Sequence, residues 1–479
     1  MKKPTLSYLF VLFFLANACQ RTPPADPSPP PPSGSQVIHV TGLTSTSQAS
    51  VLLLPDSSLQ LSATITPANA SDPKLIYVSS NTSIVRTDTT GRITGVGLGL
   101  ATVTIKSEDN PSLTVTIQVA VVRKYATLVA GYGPDAYAHQ ALQWTDGVYT
   151  VLSPGWGGYN AAGIAPAGSD WYVAGMMVNH DGWSIATFWK NGVATQLSDP
   201  ADEYNHNLTA QVISGQQIYL AGYNVRYINY PSWDPLYQNE PVWNALYYTI
   251  NGNTVTRTLL EPDTNNVLSV AYSMAVSGAD VYVAGGSQTG KQNRIAAYWK
   301  NGQSGKVLLA NASDWSEAMG LALQGGDVYV AGYEECSVSS GCPPMAKLWK
   351  NNAITVTNLT NGTVAGVASC LAVNDTAEFV GGNQTNLAGV KQAMLWRVRG
   401  NTVSSIPVSD GLTEAGVNGI ALSGNDVFLA GYQVDSVTKI RIAAYWRVYG
   451  NIVSPPVRLP TLYYFSAAFP SEANAIRIQ

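Results

Sequence analysis

The chain has 479 residues, of which only 12% are charged, and its 26 basic against 30 acidic residues leave a formal net charge of −4. That length exceeds one ordinary core and calls for two or more folded units. No basic run occurs, which argues against a nucleic-acid partner, and abundant Gly, Tyr, Thr, Ser and Val argue for turn-rich β-structure over helical bundles.

The first predicted element is a leader. Lys2 and Lys3 precede LSYLFVLFFLANA (6–18), which ends in small residues just before Cys19. A short apolar run behind a basic start reads as a secretory signal, too short to hold across a bilayer. It resembles a bacterial lipoprotein signal (1–19), which implies acylation of Cys19 and a secreted, lipid-anchored protein at the bacterial outer membrane or cell surface. It departs from that pattern at Ala16, where such signals prefer Leu, and a plain signal peptide is the alternative. Residues 20–35, including RTPPADPSPPPPSGS, hold too many prolines to fold and predict an extended polyproline stalk.

Residues 36–122 read as short strands separated by Asn, Asp, Gly and Pro. Leu61, Ala63 and Ile65 alternate in one run, as do Leu113, Val115, Ile117, Val119 and Val121 in another. Period-2 patterning over several such runs argues for a β-sandwich. The stretch 59–107, with its TPANASD turn, SSNTSIV and GRITGVGLGLATVTI, resembles the bacterial Ig-like group 2 domain. Tyr77 stands where that family usually has Trp. The resemblance implies a spacer of a kind common on cell-surface proteins, and no binding residue transfers by motif.

Residues 124–479 are a repeat array. A Gly closing words such as DVYVAG recurs at 131, 175, 222, 285, 332, 382 and 431, in steps of 44, 47, 63, 47, 50 and 49 residues. Each copy trails an aromatic anchor: Trp144, Trp189, Tyr248, Trp299, Trp349, Trp396 and Trp446. A period near 47 with about four strand-like runs per copy predicts β-propeller blades. The pattern resembles kelch-type repeats, although only 285–286 and 381–382 keep the Gly-Gly doublet. The fold class expected is therefore all-β, an N-terminal Ig-like β-sandwich plus a seven-bladed β-propeller, with eight blades as the alternative. The array opens on a second strand, so a C-terminal strand is expected to complete the first blade and remove its open edge. The recurrent Gly is expected to serve a close backbone approach or a bulge.

Tight 1–2 and 3–4 turns put the variable 2–3 and 4–1 connections on one side of the disk, where binding residues usually gather. Aromatic side chains concentrate there: Trp156, Tyr159, Trp183, Tyr227, Tyr230, Trp233, Tyr237, Trp243 and Trp315. They suit stacking on a glycan or packing into a protein partner; alternatively they close a long loop on its own core. Cys336 and Cys342 flank SVSSG and predict a disulfide, with no His or third Cys near enough in sequence for a metal, and Cys370 in an apolar run reads as a buried free thiol. The four histidines lack any catalytic context, and the carboxylates of the variable side, Asp135, Asp181, Asp202, Glu203, Asp234, Glu317 and Glu414, have no separation that sequence can supply. No cofactor and no catalytic residue is assigned, and a monomer is expected. The leading reading is a non-enzymatic binding or adhesion protein; the alternatives are a propeller enzyme acting on polysaccharide and a structural envelope scaffold.

Overall fold

The computed structural model describes residues 37–134, 139–152, 158–198, 205–229, 238–261, 267–289, 293–311, 315–335, 342–460 and 470–479. It is all-β apart from one 3-10 turn at Gln303–Gly305. Cys19 and the proline-rich stretch at 20–35 lie outside these residues.

The N-terminal unit builds a core from the alternating runs. A four-stranded sheet takes the order Ser50–Leu53, Thr114–Val121, Gly99–Ser107, Leu75–Ser79, and a three-stranded sheet of Ser58–Gln60, Arg92–Gly95 and Val85–Thr87 faces it. Leu61, Ile93, Val103, Ile105, Ile117 and Val119 are fully buried between them. Tyr77 packs against this cluster, and a Cβ at Gly91 would stand 2.5 Å from its ring, so the glycine leaves the space the ring fills. Alternation stops at the last strand. Ala120, Val121 and Val122 are all buried, because Ala120 and Val122 pack on Ile452 of the repeat array while Val121 faces the sandwich core.

The array forms seven sheets of at least four strands each. Sheet 1 runs Val148–Val151, His139–Thr145, Thr127–Pro134, Glu472–Ile478, so the chain's last strand pairs antiparallel with the array's first. Sheets 2 to 7 are meanders whose first strands are Tyr159–Ala167, Asn205–Ser214, Val267–Ser277, Ser316–Gln324, Gly366–Asn374 and Ala415–Ser423. Each of these touches the first strand of the next sheet. Glu472–Ile478 touches both Ala415–Ser423 and Tyr159–Ala167, so the contacts run in an unbroken cycle.

Local chemistry explains why every repeat folds alike. The recurrent Gly sits opposite a bulge in the first strand, and a Cβ there would meet a backbone oxygen at 1.8–2.1 Å in all seven copies. The six Trp anchors and Tyr248 are buried between adjacent sheets. Three residues before six of the anchors, an Ala N–H donates to a Ser or Thr Oγ from the start of the following repeat, as Ala296 does to Ser316 at 2.8 Å and Ala346 to Thr360 at 3.1 Å. The tight turns are tied together by a second motif. In sheet 4, Asn301 accepts from Val281 N–H and donates to Asp280, which also pairs with Lys300 at 2.7 Å; sheets 2 and 5 repeat this with Asn191 and Asn351.

The aromatic insertion at 223–244 differs from the expected loop. Strands Gln217–Asn229 and Gln238–Asn251 continue as one long hairpin arm, pairing Val225 with Trp243 and Tyr227 with Pro241. The pairing runs from Gln217 with Asn251 to Asn229 with Gln238, with one register shift at Ile228/Asn229, so paired backbone carries the described residues of this segment.

Candidate functional site

The first strand of each sheet begins, and the second ends, on the side of the variable connections. The residue after the recurrent Gly therefore lies at that rim, and four of the seven are tyrosines: Tyr132, Tyr223, Tyr333 and Tyr432. Across the first strand, Glu317 pairs in register with Tyr333 and Glu472 with Tyr132. Glu317 and Glu472 thus hold the same place in sheets 5 and 1.

Each is met by the same arginine. The hexapeptide RIAAYW occurs at 294–299 and again at 441–446, and SEA follows at 316–318 and 471–473. Arg294 Nε lies 2.5 Å from Glu317 Oε1, and Arg441 Nη1 donates to Glu472 Oε1 at 2.8 Å. The sheet whose third strand carries RIAAYW packs against the sheet whose innermost strand carries SEA, so the pairing crosses the seam between consecutive repeats.

The two seams are finished differently. Arg441 donates its other terminal nitrogen to Glu414 at 2.9 Å and lies over the Tyr432 ring at 4.4 Å. Glu414 also accepts from Tyr432 and pairs with Lys391 at 3.5 Å; burial pushes its pKa up, but these partners outweigh it and hold the carboxyl below its usual range. Beside them, burial lowers the His139 pKa against the opposing charge of Glu472, and the ring meets Tyr132 edge-on at 4.9 Å.

At the other seam, Gly286 stands where Tyr432 would be and Leu268 where Glu414 would be. A Cβ at Gly286 would lie 2.5 Å from Glu317 Oε2 and 2.8 Å from Arg294 Cδ, so this glycine makes room for the pair. The guanidinium instead packs on Trp243 at 5.7 Å and on Trp315 at 5.1 Å, and Trp243 stacks on Tyr223 at 5.5 Å, 5° from parallel. Glu317 is 2% exposed, and neither of its oxygens has a well-aligned donor among the described residues. Burial pushes its pKa up to about 7 against the opposing charge of Arg294. Tyr272 and Tyr333 stand close enough to sense both charges, and burial pushes the Tyr333 hydroxyl up to about 12. These phenols stay neutral and can both donate and accept at neutral pH.

Tyr272 also borders a cavity of about 170 Å³ to which the first strand of every sheet contributes. Its wall is built from bulge residues such as Ala162, Thr209, Met319, Ser369, Asn418 and Asn474, and no carboxylate or histidine lines it.

The aromatic residues singled out in the sequence part company here. Trp243 and Trp315 come together around Arg294, with Trp315 37% exposed. Tyr159 is 6% exposed in the core between sheets 1 and 2, because its strand position faces the neighbouring sheet, so its ring is withdrawn from the rim. Trp183 is half-buried in a turn whose Asn179 side chain accepts its N–H at 2.9 Å. Tyr227 lies on the hairpin arm. Trp156, Tyr230, Trp233, Tyr237 and Cys336 lie outside the described residues. Cys342 is half-buried, and Cys370 is a buried free thiol whose pKa burial pushes up to about 12. Sequence reasoning missed Arg294 and Arg441, although the repeated RIAAYW was available to find them, and it missed the recurring Tyr of AGY.

Residues 40–117 match the model of the bacterial Ig-like domain (group 2), and they form such a domain. Domains of this kind occur in bacterial surface proteins, and no helix among the described residues is long and apolar enough to cross a membrane. No curated protein matches the chain. Among solved structures, the Pyrococcus horikoshii acylaminoacyl peptidase (orthorhombic crystal form) is similar at a TM-score of 0.40 and 11% identity, over 81% of this chain and 53% of that one. An acylaminoacyl peptidase in complex with Z-Gly-Gly-Phe-chloromethyl ketone gives 0.40 and 10%, over 76% and 51%. The chain spans about half the length of these peptidases, and a likeness this loose carries no argument about activity.

Proposed function

We propose that the protein is a lipid-anchored bacterial surface protein in which a polyproline stalk and an Ig-like spacer carry a seven-bladed, kelch-like β-propeller. Its variable-loop face binds a glycan or protein ligand without turning it over. The cycle of first-strand contacts and the pairing of Glu472–Ile478 with Thr127–Pro134 support the propeller reading. The leader ending at Cys19 supports the anchor.

The observation that carries the binding reading is the arrangement at Arg294, a guanidinium packed on Trp243 and Trp315 at the rim. Rigid aromatic and arginine groups are the usual anchors of recognition surfaces. A hydrolase would require two carboxylates converging on one bond. Glu414 and Glu472 do converge, but on Arg441, which engages both, and Glu317 stands three sheets away with its own arginine. Screening the full mature chain on glycan arrays and in surface pull-downs tests this reading. Binding that weakens at least about tenfold in Trp315→Ala is expected; turnover of a bound polysaccharide, or binding indifferent to Trp243→Ala and Trp315→Ala, would contradict it.

A further inference from the structure

We infer that Arg294 is the receptor for the carboxylate of an acidic sugar, a uronate-type residue bound at the rim between sheets 4 and 5. This deepens the binding reading above and rests on it.

The argument starts from the comparison of the two RIAAYW seams. Arg441 has both terminal nitrogens engaged, one by Glu472 and one by Glu414, so that site is closed by its own carboxylates. At Arg294 the second carboxylate is replaced by Leu268 and the covering tyrosine by Gly286. Arg294 meets Glu317 through Nε, and its two terminal nitrogens have no polar partner among the described residues. A planar guanidinium fork with both outer nitrogens unengaged matches a carboxylate bidentately. A ligand carboxylate would supply, beside Leu268, the second acceptor that Glu414 supplies to Arg441.

The surroundings select the rest of the ligand. Trp243 and Trp315 both pack against the guanidinium, at 5.7 and 5.1 Å, so part of its freedom is already lost before anything binds. The rim tyrosine Tyr333 and the cavity-lining Tyr272 add neutral hydroxyls, and Trp315 adds a part-exposed ring. One guanidinium among several phenols and an indole suits a polyhydroxylated ring bearing a single carboxylate better than it suits an acidic peptide. Glu335, whose charge Glu317 senses, is a further carboxylate among the described residues here and opposes an anion.

The test titrates the full mature chain with an oligogalacturonate, its methyl ester, a neutral oligosaccharide of the same length and oligoglutamate, following tryptophan fluorescence. Saturable binding of the oligogalacturonate at least about tenfold tighter than of its methyl ester is expected. Arg294→Lys should lose that preference, while Arg441→Lys should keep it. Leu268→Glu rebuilds the missing carboxylate beside an intact Arg294 and should abolish binding in a protein that melts like the parent; Glu335→Gln should tighten it. Equal binding of acid and ester, a preference for oligoglutamate, or undiminished binding by a folded Leu268→Glu would overturn the inference. Of these, ester-indifferent sugar binding that still needs Trp315 would leave the broader binding reading standing.

Discussion

Arg294 and Arg441 occupy one position in two repeats, yet Arg294 contacts a single carboxylate and Arg441 two. The same scaffold therefore builds a doubly paired arginine, 41% exposed, at one seam and a singly paired one, 17% exposed, at the other. The difference traces to two substitutions within the repeat, Gly286 for tyrosine and Leu268 for glutamate.

Glu317 makes the Arg294 seam pH-sensitive. Its folded pKa, pushed up to about 7 by burial, lies above the ordinary carboxylate value of 4.5. The stability it contributes is full below about pH 4.5 and is lost as pH rises through 7, with an upper bound of about 3 kcal/mol. Thermal melts between pH 5 and 8 should show the parent losing stability relative to Glu317→Gln as pH rises; a constant difference would contradict the assignment.

Buried anchors and rim aromatics should separate cleanly on substitution. Trp446 is fully buried, and Trp446→Ala should cost about 3–5 kcal/mol in denaturant unfolding. Trp315 is part-exposed, and Trp315→Ala should stay within about 1 kcal/mol while weakening ligand binding.

The recurrent glycine is a position where no side chain fits. At Gly332 a Cβ would stand 1.9 Å from Glu317 O, so Gly332→Ala should destabilise the array by more than about 3 kcal/mol. Gly325, in the adjacent turn, has open space and φ +60°, and Gly325→Ala should cost only about 1–2 kcal/mol. Equal losses in the two melts would refute the close-approach account.

Anchoring has its own check. Cys19→Ala should move the protein from the membrane to the soluble fraction, and unchanged membrane retention would count against acylation.

Much of the architecture was legible because the constraints that set it are local or strictly periodic. The glycine at 131, 175 and onward, the tryptophan anchors, and the missing first strand before Thr127 each leave a mark in the chain itself. The site was less legible. Arg294 and Glu317 are 23 residues apart, Arg441 and Glu472 are 31, and each pair meets only when one sheet packs on the next. Attention to tryptophan found Trp243 and Trp315 without the arginine they pack on. It also drew in Tyr159, whose aromatic character does not say which way its strand faces. The strand ends at 223–229 and 238–244 read as a loop in the sequence because Pro231, Pro235 and Pro241 break the alternation that would mark two strands.

The central structural claim is that the array closes on itself through its last strand. Hydrogen exchange of the mature chain, read over 472–478, tests it most directly. Protection matching that of the first strand Gly366–Asn374 is what closure predicts. Exchange as fast as in a frayed terminus, with Thr127–Pro134 equally unprotected, would show an open array and remove the common face on which Arg294 is placed.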